Sequence, residues 1–322
     1  MIRFLIRRIA LAILVLWLVS VGVFALFFIG PGPNQVARVM AGRLATAARI
    51  AQIRHDLHLD QPIYLQYWHW LWNLLHGDLG YDYYQGQSVD SVIKLAAPIT
   101  ISLVIGAAII WLVYGVLTGV LSAVKSRSLL DRGFTASALT FYSMPTFVLG
   151  FSLIWLLSYE GNSLFGGFFI AHEQWISFTS NPLGWARLLI LPWITVALVT
   201  AATYTRLTRG SMLDVMGEDY IRTARSKGMR ERRVILRHGL RAALTPVVTQ
   251  AGLDIGASLG GVVITEQVFG LPGLGWTAVQ AINQQDLPLI MGIVILASVF
   301  VVVANLVVDM LYAVLDPRAR LN

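Results

Sequence analysis

The chain has 322 residues, of which 57% are hydrophobic and 13% are charged, and its net charge is +7 at pH 7. This composition excludes a soluble globular protein. It also excludes nucleic acid as a partner, because the basic residues alternate with apolar stretches too long for a DNA-binding surface. Basic loops between membrane spans explain the hydrophobicity and the charge together. Cysteine is absent, which rules out disulfides and thiolate metal sites.

Six stretches are long and apolar enough to cross a bilayer, each near the roughly 20 residues required. We place them at about residues 9–29, 99–124, 134–158, 188–207, 243–265 and 287–311. The first is longer than the core of a signal peptide and lacks a small-x-small cleavage site, so we expect it to be retained. The sequence therefore predicts an all-α integral membrane protein of six transmembrane helices.

The positive charge lies almost entirely on one side of these spans. Eighteen of the 24 lysines and arginines fall in the N-terminus, in the loops after spans two and four, and in the tail at Arg318 and Arg320. The positive-inside rule assigns that side, and with it both termini, to the cytoplasm. We expect one region from the first span through the outer loop (1–98) and a five-span core (99–322).

The outer loop contains an aromatic stretch, residues 64–77, with the sequence YLQYWHWLWNLLHG. Amphipathic rings favour the lipid headgroup region, which predicts a helix lying in the membrane interface. Packing against a partner subunit would give the same pattern. His55 and His58 in this loop stand one helical turn apart, but no further ligand has a diagnostic spacing, and we assign no metal.

The polar segment after span four, residues 216–246, carries a short predicted helix. Glu218 and Asp219 suit a helix N-terminus, and Lys227 followed by Gly228 is a stop signal. Ala224 and Gly228 lie four residues apart and leave one face low in profile. Such a helix suits docking into the groove of a partner, although on composition alone a solvated cytoplasmic loop is the better explanation.

Span five contains three polar residues at helical spacing, Gln250, Asp254 and Ser258. An ionisable residue within a span is costly and usually functional. A pore wall that faces amine-bearing cargo would contain such a stripe, and so would a polar contact with a neighbouring span or subunit.

The sequence around span four resembles the dipeptide and oligopeptide permeases of ATP-binding-cassette (ABC) importers. The segments that carry the resemblance are ILPWITVALVTAATYTRLTRGSMLDVM and, after it, EDYIRTARSKGM. Arg222, Thr223 and Ala224 stand where the family's cytoplasmic loop has Glu-Ala-Ala, and Gly228 occupies its glycine. The start MIRFLIRRIALAIL resembles the first, B-type, of two sister permeases. The segments at 77–80 (GDLG), 143–150 (SMPTFVLG), 268–275 (VFGLPGLG) and 305–318 (NLVVDMLYAVLDPR) also match. Residues 31–34 depart from the family's Pro-Gly-Asp-Pro.

The resemblance implies a type I importer permease in the plasma membrane of a prokaryote, where it forms half of a pore with a sister permease. It implies two cytoplasmic ATPase subunits that hold ATP and Mg, an extracytoplasmic peptide-binding protein, and no cofactor in this chain. The loop at about 209–242 would couple to the ATPases through a set of eight residues. They are Glu218, Asp219, Tyr220, Arg222, Thr223, Ala224, Lys227 and Gly228. The chain lacks a phosphate-binding loop of its own, because Val124 precedes Lys125 and Ser126 where a glycine is needed.

Three other interpretations fit parts of the sequence. The same architecture imports solutes such as nickel chelates or haem. An ion-coupled secondary transporter would use Asp254 as its ion site, but it would usually contain an internal repeat or more spans. A membrane receptor or scaffold would not need polar residues within its spans.

Overall fold

The structure, a computed structural model, describes residues 2–30, 32–41, 45–82, 85–161, 165–169, 174–260 and 262–315. The tail residues Arg318 and Arg320 lie outside these ranges, as does Pro31 of the divergent outer turn. Everything below concerns the described residues.

The described elements are almost all helical. In the first half they are α1 (Ile2–Phe24), α2 (Pro33–Ala41), α3 (Ala47–Asp56), α4 (Ile63–Leu75), α5 (Val89–Val124), α6 (Leu129–Ser143) and α7 (Thr146–Leu153). In the second half they are α8 (Pro182–Met216), α9 (Asp219–Ser226), α10 (Glu231–Arg233), α11 (Leu240–Leu259), α12 (Val263–Phe269), α13 (Leu274–Gln284) and α14 (Leu287–Leu315). Three π-helical turns, Ala25–Ile29, Ile154–Glu160 and Val234–Gly239, follow α1, α7 and α10. Strands β1 (Tyr81–Asp82) and β2 (Gln87–Ser88) pair antiparallel in a small outer hairpin.

Four helical stretches are each long and apolar enough to cross a membrane. They are Ile6–Ile29, Val89–Val124, Pro182–Met216 and Leu287–Met310. Two more candidates are bent pairs, Leu129–Ser143 with Thr146–Glu160 at 103° and Glu231–Leu259 with Val263–Phe269 at 56°. The all-helical membrane fold is confirmed, and the predicted six spans are reached when each bent pair counts as one.

Helix α5 begins at Val89, well before the predicted start of span two at residue 99. The predicted outer loop ended at Pro98, a residue type that removes a backbone donor and usually marks a helix boundary. Pro98 instead lies inside α5, as prolines in membrane helices often do where neighbouring groups satisfy the freed carbonyl. At a rise of about 1.5 Å per residue, α5 is roughly 54 Å long and extends beyond a hydrocarbon core of about 30 Å.

The chain divides into two compact units. The first comprises Met1–Ile101, Gly256–Val263 and Pro272–Leu306, and the second comprises Ser102–Ile255, Ile264–Leu271 and Val307–Asn322. The first unit therefore contains two later segments that the sequence-based division had assigned to the five-span core.

In the first unit, the outer turns of α1 form a core with the helices of the outer loop. Phe24 and Phe28 stack with their ring centroids 4.8 Å apart. Val36 of α2 and Ile53 of α3 are fully buried in the same cluster, where Met291 of α14 joins them. Burial of this apolar surface fixes the outer loop on the end of the first span.

The outer hairpin of the first unit contains a buried pair of carboxyl groups. Asp82 of β1 accepts a hydrogen bond from the backbone N–H of Gln85 at 2.8 Å, and Asp286, before α14, accepts one from Leu289 at 3.2 Å. The two carboxyl groups are close enough for Asp82 to affect the protonation of Asp286. Burial, and then the neighbouring Asp82, raise the pKa of Asp286 above its ordinary value of 3.8. The protonated form of Asp286 is therefore favoured where the hairpin meets the start of α14.

In the second unit, α5 and α8 approach closely because α5 presents glycines. A methyl group on Gly119 would lie 2.6 Å from Cβ of Thr208, and one on Gly115 would overlap Tyr204. Between them, the hydroxyls of Thr118 and Thr205 are 2.8 Å apart. Small residues at this spacing are a common basis of helix association in membranes, since they let backbones approach and side chains hydrogen-bond.

The carboxyl pair predicts a pH dependence whose sign follows from the raised pKa of Asp286. The folded chain binds more protons than the unfolded chain above about pH 4, so the pair's contribution to stability is full below that pH and is lost as the pH rises toward neutrality. Asp286→Asn should remove this loss. Asp82→Asn, which leaves burial alone acting on Asp286, should reduce it. Thermal unfolding of the full chain in detergent across this range would measure both, and equal slopes in all three proteins would contradict the raised pKa of Asp286.

Candidate coupling helix and polar span

Helix α9 begins and ends where the sequence predicted. Its N-cap is Glu218, whose backbone is extended (φ −68°, ψ 150°), and Asp219 occupies the first turn. Its C-cap is Lys227, and Gly228 follows in the left-handed region at φ +73°. Acidic residues near the positive end of the helix dipole are favourable, and the left-handed stop suits glycine.

The end of α9 is a Schellman motif. The N–H of Gly228 donates to the carbonyl of Arg225 at 2.9 Å, and the N–H of Met229 donates to the carbonyl of Ala224 at 3.4 Å. Met229 also packs against Ala224, the hydrophobic contact that commonly accompanies this motif. A new Cβ at Gly228 would meet no heavy atom within 4 Å. Within this chain, Gly228 is thus required for its backbone conformation and not for lack of space.

The inner face of α9 is apolar and packs within the chain. Ile221 is fully buried and Ala224 is 7% exposed, and both contact the buried Val234 of the following π-helical turn. Met216, the last residue of α8, and Met229 complete this cluster. The low-profile face expected to meet a partner is therefore occupied at Ala224 by the chain's own residues.

The other seven residues predicted for coupling are exposed. Glu218, Asp219, Tyr220, Arg222, Thr223, Lys227 and Gly228 form the outer side of α9 and its two ends. Arg222 and Asp219 approach to 3.3 Å on this surface, and both are largely exposed. An exposed pair of this kind adds little stability, so these charges remain available to a partner.

An ion pair unforeseen in the sequence joins α9 to α10. Arg225 donates two hydrogen bonds to the carboxylate of Glu231, from Nη2 at 2.7 Å and from Nε at 3.2 Å. The pairing raises the pKa of Arg225 and lowers the pKa of Glu231. The bidentate geometry fixes the turn between the two helices, although both side chains are about half exposed.

A second bidentate pair fastens the helix that leads into α9. Arg209 of α8 donates from Nε to Oδ1 of Asp131 at 2.8 Å and from Nη2 to Oδ2 at 3.0 Å. Asp131, in the first turn of α6, is 5% exposed and also accepts the N–H of Arg127 at 2.8 Å. The loop between spans two and three is thereby bound to the cytoplasmic half of α8.

The polar stripe of span five is only partly brought together. Asp254 accepts a hydrogen bond from Nε2 of Gln250 at 2.9 Å and one from the hydroxyl of Tyr204 at 2.7 Å. Tyr204 belongs to α8 and is fully buried beside Trp111. Ser258 is half-buried one turn further along α11 and belongs to the other unit. Both donors to Asp254 are uncharged, so they hold the carboxylate without neutralising it.

Sequence reasoning missed Tyr204, Arg209 and Asp131. Each had a weak local signal: Tyr204 is a hydroxyl-bearing ring within an apolar span, and Arg209 follows that span by less than one turn. Their partners are far along the chain, 50 residues for Tyr204 and 78 for Arg209. A single sequence offers no means of pairing residues at that separation.

The fold and these sites define a polytopic helical membrane protein with a short exposed helix in a basic loop. Residues 1–104 match the family described as the N-terminal membrane component of binding-protein-dependent transport systems. Residues 115–321 match the family of binding-protein-dependent transport system inner membrane components. The chain belongs to this family.

Curated relatives match over almost the whole chain. The dipeptide transport system permease protein DppB of Escherichia coli K12 is 37% identical, with 99% of each chain covered. The glutathione transport system permease protein GsiC of Pectobacterium atrosepticum is 39% identical, again with 99% of each chain covered. The chain is thus a permease subunit of an ABC importer in a bacterial inner membrane. As such it is a transport component and not an enzyme, carries no cofactor, and works with ATPase and binding-protein partners.

The Arg209–Asp131 pair predicts an asymmetric effect of mutation. Arg209→Gln leaves a buried carboxylate without its cation and should lower the free energy of unfolding by about 3 kcal/mol. Adding Asp131→Asn should recover part of that loss, since the uncompensated charge is then gone. The exposed Arg206→Gln, one turn away, is the control and should change stability by less than about 0.5 kcal/mol. Thermal unfolding in detergent would measure the series, and a double variant no more stable than Arg209→Gln would contradict the prediction.

Proposed function

We propose that the chain is the B-type permease of an ABC importer for dipeptides or oligopeptides. The observation that carries the proposal is the full-length similarity to a dipeptide permease and to a glutathione permease. Both named cargoes are short peptides, which favours this class over nickel chelates or haem. The chain would form half of the pore together with a sister permease and would receive peptides from an extracytoplasmic binding protein.

Two cytoplasmic ATPases would drive the pore through helix α9. In this mechanism the exposed residues of α9 sit in a groove of the ATPase, while Ile221 and Ala224 hold the helix to its own chain. The Arg225–Glu231 pair holds α9 to α10 and so restrains rotation of α9 about its own axis. When nucleotide closes the ATPase dimer, α9 moves with it and carries α8 along. The coupling works if the two ATPase states differ in their contact free energy with the two states of the permease.

Asp254 is the proposed contact for cationic cargo. Its carboxyl group accepts hydrogen bonds from the uncharged Gln250 and Tyr204, and the residue is only half-buried. A peptide carries a free amino terminus that such a group attracts. The two hydrogen bonds equally support a second role, in which Asp254 fastens α11 to α8 and meets no cargo.

Co-purification tests the class of transporter. The full chain, expressed with its neighbouring genes and isolated under mild conditions, should bring a second permease and two copies or types of ATPase. Reconstituted with these partners and the binding protein, it should accumulate peptides only when ATP is supplied. Accumulation driven by an ion gradient, by the chain alone, would refute the proposal and favour a secondary transporter.

The coupling role of Gly228 predicts a graded series of substitutions. Gly228→Asn and Gly228→Ala should retain most transport, since a left-handed residue costs only roughly 1 kcal/mol and asparagine tolerates this region well. Gly228→Phe should abolish transport, because its ring would occupy the space that the ATPase is proposed to fill. ATP-dependent peptide uptake would measure the series.

Membrane abundance and the amount of co-purified ATPase provide the controls for this series. Equal losses in Gly228→Ala and Gly228→Phe would mean that only backbone strain matters. Normal uptake by Gly228→Phe, with the complex intact, would exclude Gly228 from the docking surface.

The cargo role of Asp254 predicts a change that depends on charge. Asp254→Asn should slow uptake of lysine-containing dipeptides relative to glutamate-containing ones by roughly tenfold, the effect of losing about 1.4 kcal/mol. Tyr204→Phe breaks the interhelical bond but keeps the charge, and it should affect both cargoes alike. Initial uptake rates in proteoliposomes would measure the ratio. An unchanged ratio in Asp254→Asn would leave only the structural role.

A further inference from the structure

Helix α4 of the outer loop exposes a face that divides into an apolar and a polar half. At 100° per residue, Tyr64, Leu65, Trp68, Trp72 and Leu75 cover one contiguous arc, and all are exposed. The adjoining arc consists of His69, Asn73 and His76, also exposed. The helix contains no lysine, arginine, aspartate or glutamate. Trp68 and Trp72 are 56% and 53% exposed, an unusual amount of aromatic surface to leave in water.

The contacts of α4 set its depth relative to the first span. Its inner side packs on the outer turns of α1, where Tyr67 contacts Ser20 through their hydroxyls at 2.9 Å. The rings of Tyr67 and Trp70 lie 5.3 and 5.8 Å from that of Phe24. Phe24 precedes the end of the first span at Ile29 by about 8 Å, and Ser20 precedes it by about 14 Å. Helix α4 is therefore held beside apolar residues of the span and not beyond its end.

The orientation of α4 about its own axis is also fixed. Gln66, on the inner side, is buried and donates from Nε2 to the carbonyls of Gln61 at 2.7 Å and Leu59 at 3.2 Å. Trp68 stacks loosely on Trp72, with ring centroids 6.2 Å apart. The apolar arc therefore points consistently away from the core of its unit.

We propose that α4 lies in the outer interface of the bilayer, with Trp68 and Trp72 among phospholipid headgroups and upper acyl chains. Lipid is the occupant that the depth of the helix favours, because the arc lies beside an apolar span whose own side chains Leu26 and Ile29 are exposed at its outer end. Tryptophan prefers this level of a membrane, where an apolar ring and a polar N–H are both accommodated. The polar arc at His69, Asn73 and His76 then faces headgroups and water. The proposal does not depend on the cargo or on the coupling helix.

The absence of cysteine in the sequence permits a direct measurement of depth. Single-cysteine variants of the full chain, Trp68→Cys and Trp72→Cys, would carry a nitroxide spin label in phosphatidylcholine–phosphatidylglycerol nanodiscs. Collision with oxygen reports lipid, and collision with a water-soluble nickel chelate reports solvent. Leu26→Cys on the first span is the lipid reference, and Thr179→Cys in an exposed outer loop is the water reference. Asn73→Cys, on the polar arc of the same helix, is the matched control.

We expect the oxygen-to-nickel ratio at residues 68 and 72 to approach that at 26 and to exceed those at 73 and 179 several-fold. Ratios at 68 and 72 equal to that at 179 would place the arc in water. Low collision with both probes would mean that protein covers it. Either result would overturn the proposal. Because tryptophan replacement can disturb packing, Tyr64→Cys provides a third label on the same arc, at a residue 71% exposed.

Discussion

The proposed coupling depends on the apolar contact between the inner face of α9 and the rest of its own chain. Ile221 and Ala224 pack against Val234, between Met216 at the end of α8 and Met229 after the helix. A helix of eight residues is too short to be stable in water on its own, so this apolar contact and the Schellman motif keep it folded. A push on the outer face is transmitted only if the helix neither unfolds nor slides. The Arg225–Glu231 pair adds directional restraint at little gain in stability.

The second unit continues this restraint along α8. Arg209 binds the buried carboxylate of Asp131 at the start of α6, and the glycines of α5 let α8 approach closely along the next turns. Burying the carboxylate of Asp131 costs desolvation free energy. The bidentate bond from Arg209 and the backbone N–H of Arg127 offset that cost. Tyr204 then fastens α8 to α11 through Asp254. Polar bonds therefore occur at two levels of one helix, with a close backbone approach to α5 between and around them, which suits α8 to move as a rigid element.

Local chemistry was predictable from the sequence and distant pairing was not. The caps of α9 at Glu218 and Lys227 and the left-handed Gly228 follow from residue type alone. The side of α9 that faces inward depends on Val234, which lies in the following π-helical turn. Ala224 was expected to face a partner and is instead buried against its own chain. The start of α5 at Val89 lies ten residues before the predicted start of span two, and Pro98 falls inside the helix. In an assembled membrane helix the lost hydrogen bond at Pro98 is a local defect that surrounding packing outweighs.

The exposed faces of α4 and α9 indicate different surroundings on physical grounds. Helix α9 exposes carboxylates and guanidinium groups, which stay hydrated until a partner binds. Helix α4 exposes two tryptophans and no formal charge, so in water it would leave a large apolar area unsatisfied. Its contacts at Ser20 and Phe24 hold it at the level of apolar residues of the first span. A surface with that composition at that depth is stable in contact with lipid, just as the charged surface of α9 is stable in water or against a charged protein.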